Sequence, residues 1–267
     1  MLRAVKDLHG STIHALDGEI GKVVEILFDD EHWTVRYLVV ETGTWLFERK
    51  VLISPIAFDH VKWEEYTLHC NLTREQIKNS PDVDTDKPVS RQWETDYYSY
   101  YGWSNYWGGM GGWGTYGYPG ALFAQPFNIV GRGRRIPEEV DARVEEQHDS
   151  HLRSSKEVTG YRLFATDEHF GHIADFIVDE VTWKIRYLAV NTGDWWPGKK
   201  VLMPPDWIAQ VNWLDRSVLV DVSRDQIRNA PEWHSDQEID RGYEEQLYRY
   251  YVRQTPWEQE QVHEFAS

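Results

Sequence analysis

Residues 1–117 fall on residues 151–267 without a gap, and this duplication limits the folds open to the chain more than any other feature. The stretch "VRYLVVETGTW" beginning at Val35 returns as "IRYLAVNTGDW" beginning at Ile185. Roughly 34 of the aligned positions are identical, several times what unrelated sequence gives. Solenoid repeats are shorter, ~20–50 residues, and need at least three copies to bury a core. Two long copies therefore predict two duplicated domains, each folding largely by itself.

Within each copy the hydrophobic pattern has period two, the signature of a half-buried strand. After Gly21 the residues Val24, Ile26 and Phe28 fall on one face and Glu25 and Asp29 on the other; the second copy places Ala174, Phe176 and Val178 against Asp175 and Asp179. A polar connection leads to a second strand in which Trp33, Val35, Tyr37 and Val39 share a face, with Leu38 and Val40 adding apolar bulk to the other. Gly43 and Gly193 then allow a turn. "KVLISP" and "KVLMPP" form a further strand closed by proline, and weaker strands follow at "YTLHCNL" and "SVLVDVS". Many short strands with turn signals predict a mainly β fold. A small antiparallel barrel is favoured, because so few residues hardly supply two full sheets and closure removes exposed edges.

Helices follow each barrel. Thr73 with Gln76, and Ser223 with Gln226, have the spacing of a capping box, and Pro81 and Pro231 follow the helix ends. A second helix places Trp93, Tyr97, Tyr100 and Tyr101 on one face, matched by Tyr243, Leu247, Tyr250 and Tyr251. The resulting division is a barrel with trailing helix over 1–96, an uncharged Gly/Tyr/Trp-rich connector and basic cluster over 97–135, a connecting helix over 136–150, and a second barrel with trailing helix over 151–267.

The stretches "GEIGKVVEILFDDEHWTVRYLVVETGTWLFERKVLISP" and "EHFGHIADFIVDEVTWKIRYLAVNTGDWWPGKKVLMPP" resemble the PRC-barrel family, named for the photosynthetic reaction-centre H subunit and found also at the end of a ribosome maturation factor. The shared pattern is a glycine, an alternating strand, an acidic turn, Arg-Tyr-Leu-Val-Val (Arg-Tyr-Leu-Ala-Val in the second copy), then Lys-Val-Leu with a proline. The resemblance implies two small β-barrels used as assembly or adaptor modules, and brings no catalytic or cofactor residues.

Charge and composition narrow the function classes. Lys and Arg number 28 against 44 Asp and Glu, a formal net charge of −16, so the field repels nucleic acid and none is expected as partner. Cys70 is the single cysteine, so no intrachain disulfide points to an oxidising compartment. The start "MLRAVKDLHG" lacks the apolar core of a signal peptide, and no apolar run is long enough for a transmembrane segment. The expected setting is the cytoplasm. Nucleophile elbow, P-loop, zincin and dinucleotide patterns are all absent from the sequence, and the chain is expected not to be an enzyme.

The connector is the most unusual stretch. From Tyr97 to Gly131 it carries no charge, and glycine and aromatics dominate it through Tyr118. Its rings either fold back over barrel surface or form a docking arm, since Trp and Tyr combine apolar area with a hydrogen-bonding handle. Trp103, Trp107 and Trp113 here, with Trp45, Trp195 and Trp196 just after the turns, are the candidate interaction residues. Beyond them lie Arg132, Arg134 and Arg135 and then a helical pattern of Ile136, Val140 and Val144. His148 and His151, and His169 and His172, are not repeated between copies and lack the ligand set of a zinc site, so no metal and no cofactor are expected.

Several identities between copies exceed what strand packing asks for: Asp29 and Asp179, Arg36 and Arg186, Thr42 and Thr192, Trp45 and Trp195. Asp29 with Arg36, and Asp179 with Arg186, are expected as structural ion pairs. The functional expectation is a non-catalytic adaptor with an unknown protein partner; homo-oligomerisation and peripheral membrane contact are compatible with it. The alternatives are a membrane-surface or photosynthetic-complex assembly role, a ribosome-assembly role, and small-ligand or metal binding in an inter-barrel groove.

Overall fold

The computed structural model describes residues 1–62, 65–85, 87–107, 109, 111–123, 151–193, 199–235, 237–255 and 257. The expected helix over 136–150, the Arg132, Arg134 and Arg135 cluster, His148, and Trp195 and Trp196 lie outside these residues.

The chain is mainly β, with two seven-stranded sheets of the same topology. The first is built from β2 (Thr12–Ala15), β3 (Gly18–Asp29), β4 (Thr34–Thr42), β5 (Lys50–Ile53), β6 (Phe58–Lys62) and β7 (Thr67–Cys70), in the order β5-β4-β3-β2-β7-β6. The second repeats it with β9 (Arg162–Phe164), β10 (His169–Asp179), β11 (Ile185–Asn191), β12 (Lys200–Met203), β13 (Ile208–Asn212) and β14 (Ser217–Val220), in the order β12-β11-β10-β9-β14-β13. The pairing is antiparallel but for two ladders: β2 runs parallel to β7 and β9 parallel to β14. Between the members of each parallel pair run the other four strands of that path, the long excursion that parallel pairing requires. The ladder ends at β5 and β6, which a 3-10 turn, Pro55–Ala57, joins as a corner; the Ser54 side chain accepts from the Ile56 N–H at its start.

Bulges break the expected alternation in the long strands. The β3–β4 register shifts between Val23 and Glu25, so Val23 faces the core at 1% exposure and Val24 is only half-buried. The same shift between Ile173 and Asp175 buries Ile173 in place of Ala174. An extra residue on one strand reverses the faces beyond it. Gly21 and Gly171 recur for a steric reason: a Cβ there would stand 2.0 Å from the Glu41 carbonyl oxygen and 2.1 Å from that of Asn191.

Both capping boxes form, at α1 (Arg74–Lys78) and α5 (Arg224–Asn229). The longer helices are α2 (Arg91–Tyr101) and α6 (Arg241–Tyr250). Their buried faces differ from the expected stripe. Glu94, Tyr97 and Tyr98 are buried on α2 and Tyr243, Leu247 and Tyr248 on α6, whereas Tyr100 is 41% exposed. The Tyr100 hydroxyl instead donates to the Gln76 carbonyl, as Tyr250 does to that of Gln226, so each ring ties its helix to the capped helix before it.

The expectation that each copy folds largely by itself is amended at the two leading strands and at the loop 180–184. One compact unit comprises Val5–Lys156 and Glu180–Lys184; the other comprises Met1–Ala4, Glu157–Asp179 and Ile185–Ser267. We term these the N-terminal and C-terminal units. The leading strands are exchanged: β1 (Leu2–Ala4) pairs with β10 in the C-terminal unit, and β8 (Leu152–Ser154) pairs with β3 in the N-terminal unit. The registers are equivalent, with Leu2 opposite Asp179 and Leu152 opposite Asp29. Arg153 anchors β8 by an ion pair to Asp30 at 2.7 Å, and the Ser155 hydroxyl donates to Glu25 at 2.8 Å. The loop 180–184 likewise belongs to the N-terminal unit, where Trp183 stacks on Phe58 and its carbonyl accepts from the Val35 N–H.

Candidate functional site

The site grows from one unusual strand residue. Arg36 lies mid-strand on β4 and is fully buried, so both faces of that strand are covered from its start. Its Nε donates to Asp29 Oδ2 at 2.6 Å, the pair expected from the acidic turn, and Asp29 Oδ1 accepts from the His32 N–H at 2.6 Å. Its two terminal nitrogens are buried without a hydrogen-bond partner. They are met instead by ring faces: the guanidinium carbon is 3.7 Å from the Tyr106 ring centre and 4.6 Å from that of Trp113. A desolvated guanidinium is costly unless compensated, and aromatic faces with a single carboxylate supply that compensation here.

Both rings come from the uncharged connector. It leaves α2 through Gly102, turns at Gly114 in the left-handed region (φ 69°), and closes that turn by Gly111–Gly114 and Trp113–Tyr116 bridges. A Cβ on Gly109 would stand 2.2 Å from the Gly114 carbonyl carbon, so the tight packing of this turn demands glycine there too. The turn drives Trp113 to complete burial, with its indole N–H donating to the Thr182 carbonyl at 2.7 Å.

Behind the rings lies a second buried carboxylate. Glu94 on α2, 2% exposed, accepts from the Tyr106 hydroxyl at 2.8 Å and the Tyr37 hydroxyl at 3.0 Å, and pairs with Arg91 at 2.9 Å. Burial pushes its pKa above the usual carboxylate value, against the opposing pull of Arg91 and the two hydroxyls. Burial also pushes the Tyr37 and Tyr106 phenols well up, helped by the Glu94 charge, so both remain protonated donors.

The C-terminal unit repeats the frame, and among the described residues no ring is seated on its arginine as Tyr106 is on Arg36. Arg186 pairs with Glu244 at 3.4 Å, and the Tyr187 hydroxyl donates to Glu244 at 2.5 Å. Arg241 lies over the Trp257 ring at 4.7 Å, as Arg91 lies over Trp107 at 4.5 Å. Arg186 thus takes Glu244, not the expected Asp179, as its ion-pair partner, because α6 brings a carboxylate over the strand; Asp179 contributes to the field at Arg186 and lines the same cleft. The Arg186 side chain is 26% exposed, where that of Arg36 is 0% exposed. It opens on a cleft of about 370 Å³ bounded also by Leu2 of the exchanged strand, by the preceding Met1 and by Trp257.

These two sheets with their capped helices correspond to residues 3–76 and 152–227, each of which matches the PRC-barrel domain. The chain belongs to the PRC-barrel family. No curated protein matches it. The PRC barrels thus occur in tandem, and the helices α2 and α6 beside the two clefts, with the connector that covers the first, lie beyond the matched segments.

The remaining expected residues are placed as follows. Trp45 is half-buried and pinned to its PRC barrel: its indole donates to the Ile20 carbonyl at 2.6 Å and Arg74 lies over the ring at 4.3 Å. Trp103 is 6% exposed and stacks on Tyr101, and Trp113 is fully buried, so neither belongs to an exposed interaction surface; Trp107 is half-buried. Tertiary packing consumes these rings because an uncharged, glycine-rich chain can lie flat on the barrel. Thr42 and Thr192 recur because each hydroxyl donates across its turn, to the Arg49 and Lys199 carbonyls. Glu94, Glu244, Arg91 and Arg241 were not singled out by sequence reasoning. Their identity between copies was the available signal, masked by the aromatic stripe beside them.

Among the described residues no group of three or more His, Cys, Asp or Glu could hold a metal ion, and no helix is long and apolar enough to cross a membrane.

Proposed function

We propose that this protein is a non-catalytic interaction module of the cytoplasm, in which PRC barrels hold peptide segments rather than transform a substrate. The observation that carries the reading is Tyr106 and Trp113 seated on the buried Arg36. The N-terminal unit uses the barrel, with α2, as a receptor for an uncharged aromatic peptide supplied in cis. The chemistry is that of recognition: ring faces over a guanidinium, one phenol on a carboxylate and one indole on a carbonyl. The buried carboxylates Asp29 and Glu94 are both engaged in internal hydrogen bonds, which supports a holding role over acid–base work. Duplication fits the same reading, since two linked modules raise the effective concentration of a shared target.

The test is quantitative affinity capture by the full chain from native lysate, followed by reconstitution with the purified candidate. A partner that reconstitutes at a fixed stoichiometry supports the module. Capture of nothing that reconstitutes, alongside a ligand from a metabolite panel that is turned over, would replace it with a small-molecule function.

A further inference from the structure

Residue for residue, the two clefts share their frame: Arg186 for Arg36, Tyr187 for Tyr37, Glu244 for Glu94, Trp257 for Trp107. They differ in what fills them. The positions aligned with Tyr106 and Trp113 are Pro256 and His263, so the second copy does not encode the two rings that cover Arg36. Among the described residues no aromatic face lies on the Arg186 guanidinium in the way that Tyr106 lies on that of Arg36. The cleft beside Arg186 has a volume of about 370 Å³, within the range of ~300–1,000 Å³ typical of ligand pockets.

We propose that the Arg186 cleft binds an uncharged segment of a partner protein that carries a tyrosine and a tryptophan, seated as Tyr106 and Trp113 are seated on Arg36. This rests on the reading of the barrel as a peptide receptor. The electrostatics select the occupant. Arg186 is flanked by Asp179 and Glu244 in a chain of net charge −16, so an anionic group gains little there. A ring face needs no formal charge to be held by a guanidinium, and Arg is the residue best suited to such stacking. A tyrosine hydroxyl reaching Glu244 would reproduce the 2.8 Å bond from Tyr106 to Glu94. Leu2 of the exchanged strand and the preceding Met1 form one wall, so the test keeps the first residues of the chain in place.

The experiment uses the full chain and a labelled synthetic peptide of the sequence of residues 104–118, followed by fluorescence anisotropy. The expected result is saturable one-to-one binding, weakened about tenfold by Arg186→Ala and less by Arg186→Lys, which keeps the charge but loses the planar face. A peptide with both ring positions changed to leucine is expected not to bind. Circular dichroism and thermal melting of both variants confirm that they fold. Absence of binding, equal binding by Arg186→Ala, or equal binding of the leucine peptide overturns the assignment. Self-association of the free chain that Arg186→Ala abolishes overturns it in favour of a second copy as occupant. If the peptide fails while a reconstituted partner is held equally by wild type and Arg186→Ala, this site falls and the interaction module stands. If both fail, the wider reading falls with it.

Discussion

The guanidinium carbon of Arg36 lies 3.7 Å from the centre of the Tyr106 ring, which its connector brings across 70 residues of chain. The contact joins the duplicated barrel core to the least barrel-like stretch of the sequence. It also makes Trp103, Tyr106 and Trp113 of the connector part of the N-terminal unit's hydrophobic core. Trp113→Ala is therefore expected to destabilise that unit by roughly 3–5 kcal/mol, the range for deleting a large buried aromatic. Tyr106→Phe, which removes only the hydroxyl on Glu94, is expected to cost roughly 1–3 kcal/mol. Denaturant midpoints of the two variants check both; unchanged midpoints would show that the rings are not packed.

Asp29 and Asp179 occupy equivalent positions but do unequal work. Asp29 accepts the only side-chain hydrogen bond made by the fully buried Arg36. Asp29→Asn takes from the buried guanidinium its one paired carboxylate, leaving only the ring faces and the more distant Glu94, and is expected to cost roughly 3–5 kcal/mol. Asp179→Asn is expected to cost under about 1 kcal/mol, because Arg186 keeps Glu244 and reaches solvent. Parallel urea unfolding of the pair measures the difference, and equal losses would contradict the burial contrast.

The strand exchange predicts a crossed effect. Removing residues 1–4 deletes the partner of Ile177, Val178 and Asp179. Amide hydrogen exchange is expected to accelerate in that end of β10, in the second copy, and not in the equivalent end of β3. Faster exchange at residues 27–29 instead would mean that each strand stays with its own copy.

Glu94 gives a pH signature. Burial raises its folded-state pKa above its ordinary value of 4.5. As pH rises through and above that value, the unfolded chain releases this proton first. Stability from this group is thus present at low pH and is lost as pH rises through the raised folded-state pKa. Glu94→Gln removes that slope. The wild-type midpoint is expected to fall relative to the variant's as pH climbs from 4.5, then to run parallel once the folded-state carboxyl has ionised. Parallel curves across the whole window would refute the shift.

What the sequence determined by itself is local or periodic. The duplication, the mainly β class, the Asp29–Arg36 pair and both capping boxes follow from spacing, because their partners lie within a few residues or repeat in register. The tertiary structure decided three other things. The bulges at Val23 and Ile173 set which residues face the core, since strand register depends on a partner strand. The exchange of β1 and β8 was unreadable because both copies begin with the same Leu-Arg, leaving either sheet an equally good partner by sequence. The burial of Trp103 and Trp113 was decided at long range, where a mid-strand arginine left both terminal nitrogens without a polar partner and two rings supplied the faces. Those rings occur in only one copy, so among the described residues one arginine ends fully covered and its counterpart stays part-exposed beside a cleft.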